Sequence, residues 1–146
     1  VFANAVIPLL DELPGNYIRI NAWNSFFESR KMEVVAPANQ KEMAEQILHQ
    51  LNISFVFAPD VSGMIAPRTV SMIINEAYFA AGEGVSTKEE IDVAMKLGTN
   101  YPYGPFEWAS VIGLHNICSL LIKMQSQEKR YTIAPLLLHE ATGNML

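Results

Sequence analysis

The chain has 146 residues, of which 50% are hydrophobic and 17% are charged, and its formal net charge is -5. This length suits one domain or slightly more, and the apolar content is enough for a packed core, which argues against disorder. The acidic balance argues against nucleic acid as a partner, because no basic run is longer than two residues, as in Lys129-Arg130.

The single cysteine, Cys118, excludes a disulfide framework within the chain and favours a reducing, cytoplasmic compartment. No apolar run has the length of a membrane span, so we expect no membrane association. The chain starts without Met, and Val1-Phe2-Ala3 is typical of a strand already under way. We therefore expect a fragment, or a mature piece, of a longer protein.

The first third of the chain carries strand patterns around one helix pattern. Strands are predicted over 1–3, 17–21, 32–35 and 53–57, with a short helix or apolar loop over 5–13. A helix is predicted over 39–51, and its expected apolar stripe is Met43, Ile47, Leu48 and Leu51. The order strand, helix, strand predicts the last part of a βαβ sheet.

Beyond Pro59 the sequence predicts helices and no convincing strand. Pro67 fits the first turn of a helix that runs to about Ala81, where Gly82 follows. Ser86-Thr87-Lys88-Glu89 has the pattern of a capping box that opens a second helix. Further helices are predicted over about 106–111, 114–127 and 134–142.

Between the second and third of these helices, Asn100, two prolines and Gly104 predict a rigid corner. We interpret it as a packing device that fixes two helices and presents a dimer face, with substrate contact second. The residues assigned to this corner are Tyr101, Pro102, Gly104, Pro105, Phe106 and Trp108. Asn75 and Glu76 interrupt a mainly apolar helix, and we expect the backbone of the corner to supply their partner.

Several spaced motifs in this region resemble the C-terminal helical domain of 3-hydroxyacyl-CoA dehydrogenases. They are Asn75-Glu76-Ala77, Asp92, Met95-Lys96-Leu97-Gly98, Gly104-Pro105-Phe106-Glu107 and Gly113-Leu114. The resemblance covers about residues 59–122 and continues more weakly to residue 1. It implies an α+β, mainly α fold. In this reading 1–59 is the remnant of a dinucleotide-binding, truncated Rossmann-like α/β domain, and 60–146 is an all-helical dimerisation and substrate domain.

The resemblance also implies NAD-linked oxidation of the 3-hydroxyl of an acyl-CoA in fatty-acid metabolism, with a His as base held by a Glu. Glu33 matches that Glu and Asn24 matches an Asn of the neighbouring loop, but Asn21 stands where the His is expected. An amide cannot take up a proton at neutral pH, so the resemblance implies a relic catalytic position at Glu33 without its base.

Other positions implied by the resemblance are altered too. Val6 replaces a hydroxyl-bearing residue, and Pro67 replaces an Asn that precedes Arg68. Arg68 and Asn75 remain, with Asn24, candidates for substrate contact. The aromatic residues Trp23, Phe26 and Phe27 either line an acyl channel or pack in the core.

The glycine-rich NAD-binding loop of the family has no match in this sequence. Gly82-Glu83-Gly84 is the only G-x-G in the chain, and it follows a helix rather than a strand, so we interpret it as a helix stop. NAD is implied by the resemblance, yet we expect this chain alone to bind no cofactor. His49, His115 and His139 are widely spaced, so no metal site is predicted.

Two hypotheses follow. The chain is the later part of an NAD-dependent 3-hydroxyacyl-CoA dehydrogenase, without turnover by itself. Alternatively it is a non-catalytic module that forms a homodimer through its helical domain and binds an acyl-CoA or a partner enzyme.

Overall fold

The computed structural model describes residues 1–26 and 31–143, so Phe27 lies outside the described residues. The chain divides into two compact units, Val1–Arg68 and Thr69–Leu146. The division into domains 1–59 and 60–146 stays a prediction. No described helix is long and apolar enough to cross a membrane.

The first unit is built on a four-stranded sheet. Its strands are β1 (Phe2–Asn4), β2 (Ile18–Ile20), β3 (Met32–Val35) and β4 (Phe55–Phe57), in the order β1-β2-β3-β4. β1 pairs with β2 in parallel, β2 with β3 antiparallel, and β3 with β4 in parallel. Helix α1 (Lys41–Gln50) joins β3 to β4, which confirms the predicted strand–helix–strand unit.

The core of this unit forms between α1 and the sheet. Its buried residues are Ile18, Val34, Ala36, Ala44 and Leu48. The predicted stripe of α1 was wrong at two positions, because Met43 is 45% exposed and Leu51 is 62% exposed. The predicted Leu48 does face the core, together with Ala44 one turn earlier, which was not predicted. Of the segment 5–13, only Leu10–Glu12 is helical, as a single 3₁₀ turn.

The second unit is helical. Its elements are α2 (Ala66–Gly82), which begins at the end of the first unit, α3 (Lys88–Thr99), α4 (Pro105–Ile112), α5 (Leu114–Gln127) and α6 (Pro135–Gly143). Within residues 69–143 no strand forms, as predicted. The fully buried side chains that fill this unit include Ile74, Ile117, Leu120, Leu121, Met124 and Leu137.

The ends of α3 are set by local chemistry. Thr87 is the N-cap: its hydroxyl accepts the Glu90 N–H and its own N–H donates to the Glu90 carboxylate, both at 3.2 Å. The capping box therefore lies one residue later than the predicted Ser86–Glu89 pattern. Asn100 ends the helix with φ of 55°, a left-handed conformation that Asn tolerates. The predicted fold class, α+β and mainly α, is confirmed.

Candidate functional site

Glu33, the predicted relic of a catalytic carboxylate, lies on β3 and is 8% exposed. Its two carboxylate oxygens accept the backbone N–H groups of Ile65 at 3.2 Å and Ala66 at 2.8 Å. Ala66 is the first residue of α2, so a negative charge meets the positive end of that helix. In this structure the Glu33 carboxylate acts as the N-terminal cap of α2.

Asn21 follows β2, and its backbone N–H donates to the Glu33 carbonyl at 3.0 Å. The Asn21 side chain is buried, and its Oδ1 accepts the Trp23 N–H at 3.3 Å. The structure thus places Asn21, just after β2, beside Glu33 on the neighbouring strand β3. A buried amide at residue 21 can donate and accept hydrogen bonds, but it cannot take up a proton.

A second amide fixes the same turn. Asn4 donates to the Ala22 carbonyl at 3.4 Å and accepts the Ala22 N–H at 3.0 Å. Asn24 is exposed, whereas Trp23 is 8% exposed and packs as a core residue. Substrate contact at Asn24 stays a prediction.

A buried arginine, which the sequence reasoning missed, organises the loops of the first unit. Arg19 on β2 is fully buried and forms an ion pair with Asp60. Its remaining donors reach the carbonyls of Ala5 at 2.8 Å, Val6 at 3.0 Å and Val61 at 3.2 Å. Burial lowers the pKa of Arg19, and the Asp60 carboxylate opposes that change. The sequence signal that could have identified this buried arginine is its position between Ile18 and Ile20 of a short strand.

Arg68, a predicted substrate contact, donates from Nη1 to the Ser62 carbonyl at 3.0 Å. Its backbone N–H donates to the carbonyl of Gly63. The φ of 84° at residue 63 is a conformation that favours glycine. The side chain therefore helps to fix the segment that leads into α2.

The predicted corner lies in the second unit and is a capping structure between α3 and α4. Asp92 on α3 accepts the N–H groups of Phe106 at 2.8 Å and Glu107 at 3.1 Å, in the first turn of α4. Glu107 accepts the Gly104 N–H at 2.9 Å and the Lys96 ammonium at 2.5 Å. These bonds from Lys96 and Gly104 lower the pKa of Glu107.

The aromatic residues of the corner pack around one indole. Trp108 is 7% exposed, and its ring centroid lies 5.4 Å from that of Tyr101 and 6.1 Å from that of Tyr103. Gly104 and Pro105 are buried, whereas Tyr101 and Pro102 are exposed. The exposed pair is the part of the corner that another molecule can reach.

Asn75 on α2 does not bind the corner, contrary to expectation. Its Nδ2 donates to the Thr132 carbonyl at 2.8 Å, and its Oδ1 accepts the Ala134 N–H at 2.9 Å. These groups belong to the segment before α6, which lies 57 to 59 residues later in the chain. Asn75 therefore positions α6, and its predicted substrate contact stays untested.

A charged cluster also holds α6. The Tyr78 hydroxyl donates to Glu140 at 3.1 Å, and Lys88 donates to both Glu140 oxygens at 2.6 and 2.7 Å. Burial, reinforced by Glu140, raises the pKa of Tyr78 far above its ordinary value. The sequence reasoning did not find this cluster, because its members lie on three helices.

The residues described in the structure do not match a dinucleotide site. A phosphate loop needs glycines between a strand and a helix. The connection 36–40 from β3 to α1 has none, and in the connection 58–65 only Gly63 precedes α2, whose first N–H groups are bound by Glu33. Gly82 lies at the end of α2, as expected for a helix stop. Across 1–26 and 31–143, no group of three or more His, Cys, Asp or Glu residues is placed to hold a metal ion.

Comparison with known proteins agrees with this architecture. The family model described as 3-hydroxyacyl-CoA dehydrogenase, C-terminal domain, matches residues 63–142. A crystal structure of 3-hydroxybutyryl-CoA dehydrogenase from Escherichia coli superposes with a TM-score of 0.77 at 33% identity, over 89% of this chain and 28% of that chain.

Two curated relatives have similar sequences. The 3-hydroxyadipyl-CoA dehydrogenase of Escherichia coli is 35% identical over 137 residues, which are 92% of this chain and 27% of that protein. The 3-hydroxybutyryl-CoA dehydrogenase of Clostridioides difficile is 31% identical over 139 residues, 91% of this chain and 50% of that protein. The chain thus spans half or less of the length of these relatives. Because the family model covers more than half of its residues, the chain belongs to the 3-hydroxyacyl-CoA dehydrogenase family.

Proposed function

We propose that this chain supplies the substrate-side helical part of an NAD-linked 3-hydroxyacyl-CoA dehydrogenase and does not turn over substrate by itself. The observation that carries the proposal is the pair Asn21 and Glu33. Oxidation of a 3-hydroxyl group needs a base that takes the hydroxyl proton, and an amide cannot do so. The Glu33 carboxylate is already bound to the N-terminus of α2 and cannot replace that base without uncapping the helix.

The test is a calorimetric titration of the chain with acetoacetyl-CoA, alone and with NADH, together with an assay for NADH consumption. We expect saturable binding of acetoacetyl-CoA and no consumption of NADH. Turnover by the unmodified chain would contradict the proposal that its catalytic base is lost. Absence of acetoacetyl-CoA binding would contradict the substrate-side role.

A second candidate function is a homodimerisation module, and one surface feature favours it. Val93, Leu97 and Tyr101 follow each other at four-residue spacing and are 53%, 83% and 39% exposed. Val93 and Leu97 form an exposed apolar stripe on α3, and the exposed Tyr101 follows it in the corner. Exposed apolar surface of this kind can mark an interface. We also propose a cytoplasmic location. The single cysteine, Cys118, is unpaired, as is usual in a reducing compartment.

Sedimentation equilibrium at micromolar concentration tests the dimer. We expect a dimer that Leu97→Asp dissociates. Val85→Asp is the matched control, since Val85 is 72% exposed and lies outside the stripe. A monomeric unmodified chain, or equal effects of the two variants, would contradict pairing through this stripe.

A further inference from the structure

The strand β4 is the last in the order of the sheet, so one of its edges faces no strand among the described residues. On the other edge, the Ser54 carbonyl and the Ala58 N–H form hydrogen bonds with β3 at 2.8 and 2.9 Å. Main-chain groups alternate in direction along a strand, so those of Phe55 and Phe57 point to the open edge. Each of these two residues directs one donor and one acceptor outwards.

The side chains of β4 leave this edge open to pairing. A groove of about 460 Å³ runs along it beside α1. Phe55 and Phe57 pack against the core on the α1 side, with ring centroids 5.3 Å apart. Val56 points to the other side of the sheet and is 40% exposed. The strand Phe55–Phe57 contains no charged residue and no proline, which are the residues that usually protect an edge strand from pairing.

The open groups are arranged symmetrically about Val56, and this arrangement fits a second copy of the same strand. In an antiparallel pair with a two-fold axis at Val56, Phe55 of each copy lies opposite Phe57 of the other. Both of these pairs exchange two hydrogen bonds, so every outward main-chain group of β4 gains a partner. The phenylalanine rings form cross-strand aromatic pairs on one side, and the exposed Val56 covers its counterpart on the other.

A row of ionisable side chains on α1 runs beside the same edge. The Lys41 ammonium lies 5.5 Å from the centroid of the Phe57 ring, and the His49 and Phe55 ring centroids are 5.5 Å apart. Glu45 lies between Lys41 and His49 on this flank of α1, lines the groove, and is 3.6 Å from His49. The row is therefore basic at one end of β4 and acidic at its middle.

This order of charges favours a second copy over a strand from a different protein. A two-fold axis reverses the row, so Lys41 of each copy approaches Glu45 of the other, and opposite charges meet twice. A foreign strand that carries charges of one sign meets a like charge at Lys41 or at Glu45. Lys31 also lines the groove, but it lies level with Ser54, beyond the paired residues.

We propose that the open edge of β4 pairs with the same edge of a second copy, antiparallel about Val56, and joins the two sheets into one. The contact uses neither Asn21 and Glu33 nor the apolar stripe on α3, so its test is independent of the proposed function. Strands of three residues make a weak contact, with a Kd of roughly 0.1–1 mM. The edge therefore joins copies at concentrations above those of the dimer proposed through α3.

The test is oxidative cross-linking of Val56→Cys in the full chain at about 0.5 mM, with glutathione disulfide as the oxidant and non-reducing gels as the readout. Residues that face each other in a non-hydrogen-bonded antiparallel pair have Cα atoms about 4.5 Å apart, which suits a disulfide. The substitution is small and Val56 is exposed, while the native Cys118 is buried. We expect a covalent dimer that forms at least about tenfold faster than in the control variant.

Ser54→Cys is that control, because Ser54 is exposed and lies two residues before Val56. The two-fold axis holds the two Cα atoms of residue 54 about 13 Å apart, beyond the reach of a disulfide. Equal cross-linking of Val56→Cys and Ser54→Cys, or no covalent dimer of Val56→Cys, would overturn the proposal. So would loss of the Val56→Cys cross-link when Leu97→Asp is added, because the contact would then depend on the stripe on α3.

Discussion

Gly104 and Asp92 approach each other so closely that no side chain can stand at residue 104. A Cβ atom there would lie 2.3 Å from Oδ1 of Asp92. The same Asp92 carboxylate caps the first turn of α4 through Phe106 and Glu107. The corner thus has its tight shape because a carboxylate from α3 must reach the N-terminus of α4.

Gly104→Ala is expected to destabilise the chain by about 2 kcal/mol or more, because Asp92 must move and uncap α4. The measurement is urea unfolding followed by circular dichroism. Gly98→Ala is the matched control, since a Cβ at Gly98 meets nothing within 4 Å. In the exposed helix α3 it should stabilise by about 0.5–1 kcal/mol. Destabilisation of the same size by both substitutions would show that the contact with Asp92 is not the cause.

The helical order and the corner could be predicted because their signals are local. Pro105 fixes φ at the first position of α4, and Asn100 tolerates the left-handed conformation that ends α3. The partner of Asn75 could not be predicted in this way, because Thr132 and Ala134 lie more than 50 residues away. Arg19 was missed for the same reason, since its burial is possible only where Asp60 and loop carbonyls converge.

Glu107 gives the stability of the corner a defined dependence on pH. Its pKa is lowered below the ordinary value of 4.5, first by Lys96 and then by the Gly104 N–H. A lowered folded-state pKa means that the unfolded chain binds the proton more tightly. The contribution is therefore present above about pH 4.5 and is lost as the pH falls through the folded pKa.

Glu107→Gln should reduce the slope of the unfolding free energy against pH below 4.5, and this is measured by urea unfolding at several acidic pH values. Glu89→Gln is the matched comparison, because Glu89 is an exposed carboxylate of α3. If the slopes of the two variants were identical, the paired carboxylate at residue 107 would not be responsible.

Asn75→Ala is expected to cost about 2–3 kcal/mol, because it leaves the Thr132 carbonyl and the Ala134 N–H without their partner. Hydrogen exchange gives the specific readout, since the Ala134 amide should lose protection. Asn116→Ala is the control, because the Asn116 side chain is exposed and donates to the Ile112 carbonyl of the preceding helix. Retained protection at Ala134 in Asn75→Ala would contradict the tethering role.

Asp60→Ala leaves a fully buried guanidinium without its carboxylate and should cost about 2 kcal/mol or more. The solvent at Asp60, whose side chain is 37% exposed, keeps the cost below that of a fully buried pair. Glu128→Ala breaks an exposed ion pair with Arg130 and should cost under about 1 kcal/mol. Equal losses of unfolding free energy in the two variants would mean that the Arg19 guanidinium does not depend on the Asp60 carboxylate.

Glu33→Gln tests whether this carboxylate is structural. The substitution keeps the size of the side chain but removes the charge at the N-terminus of α2, and one of its two acceptor oxygens becomes a donor. We expect a loss of about 1–2 kcal/mol in urea unfolding, since charged caps at helix N-termini contribute about that much. Glu45→Gln is the matched control, because the Glu45 side chain is 53% exposed and has only a 3.6 Å contact with His49. If Glu33→Gln were as neutral as Glu45→Gln, the cap would not explain why a buried carboxylate stands at residue 33.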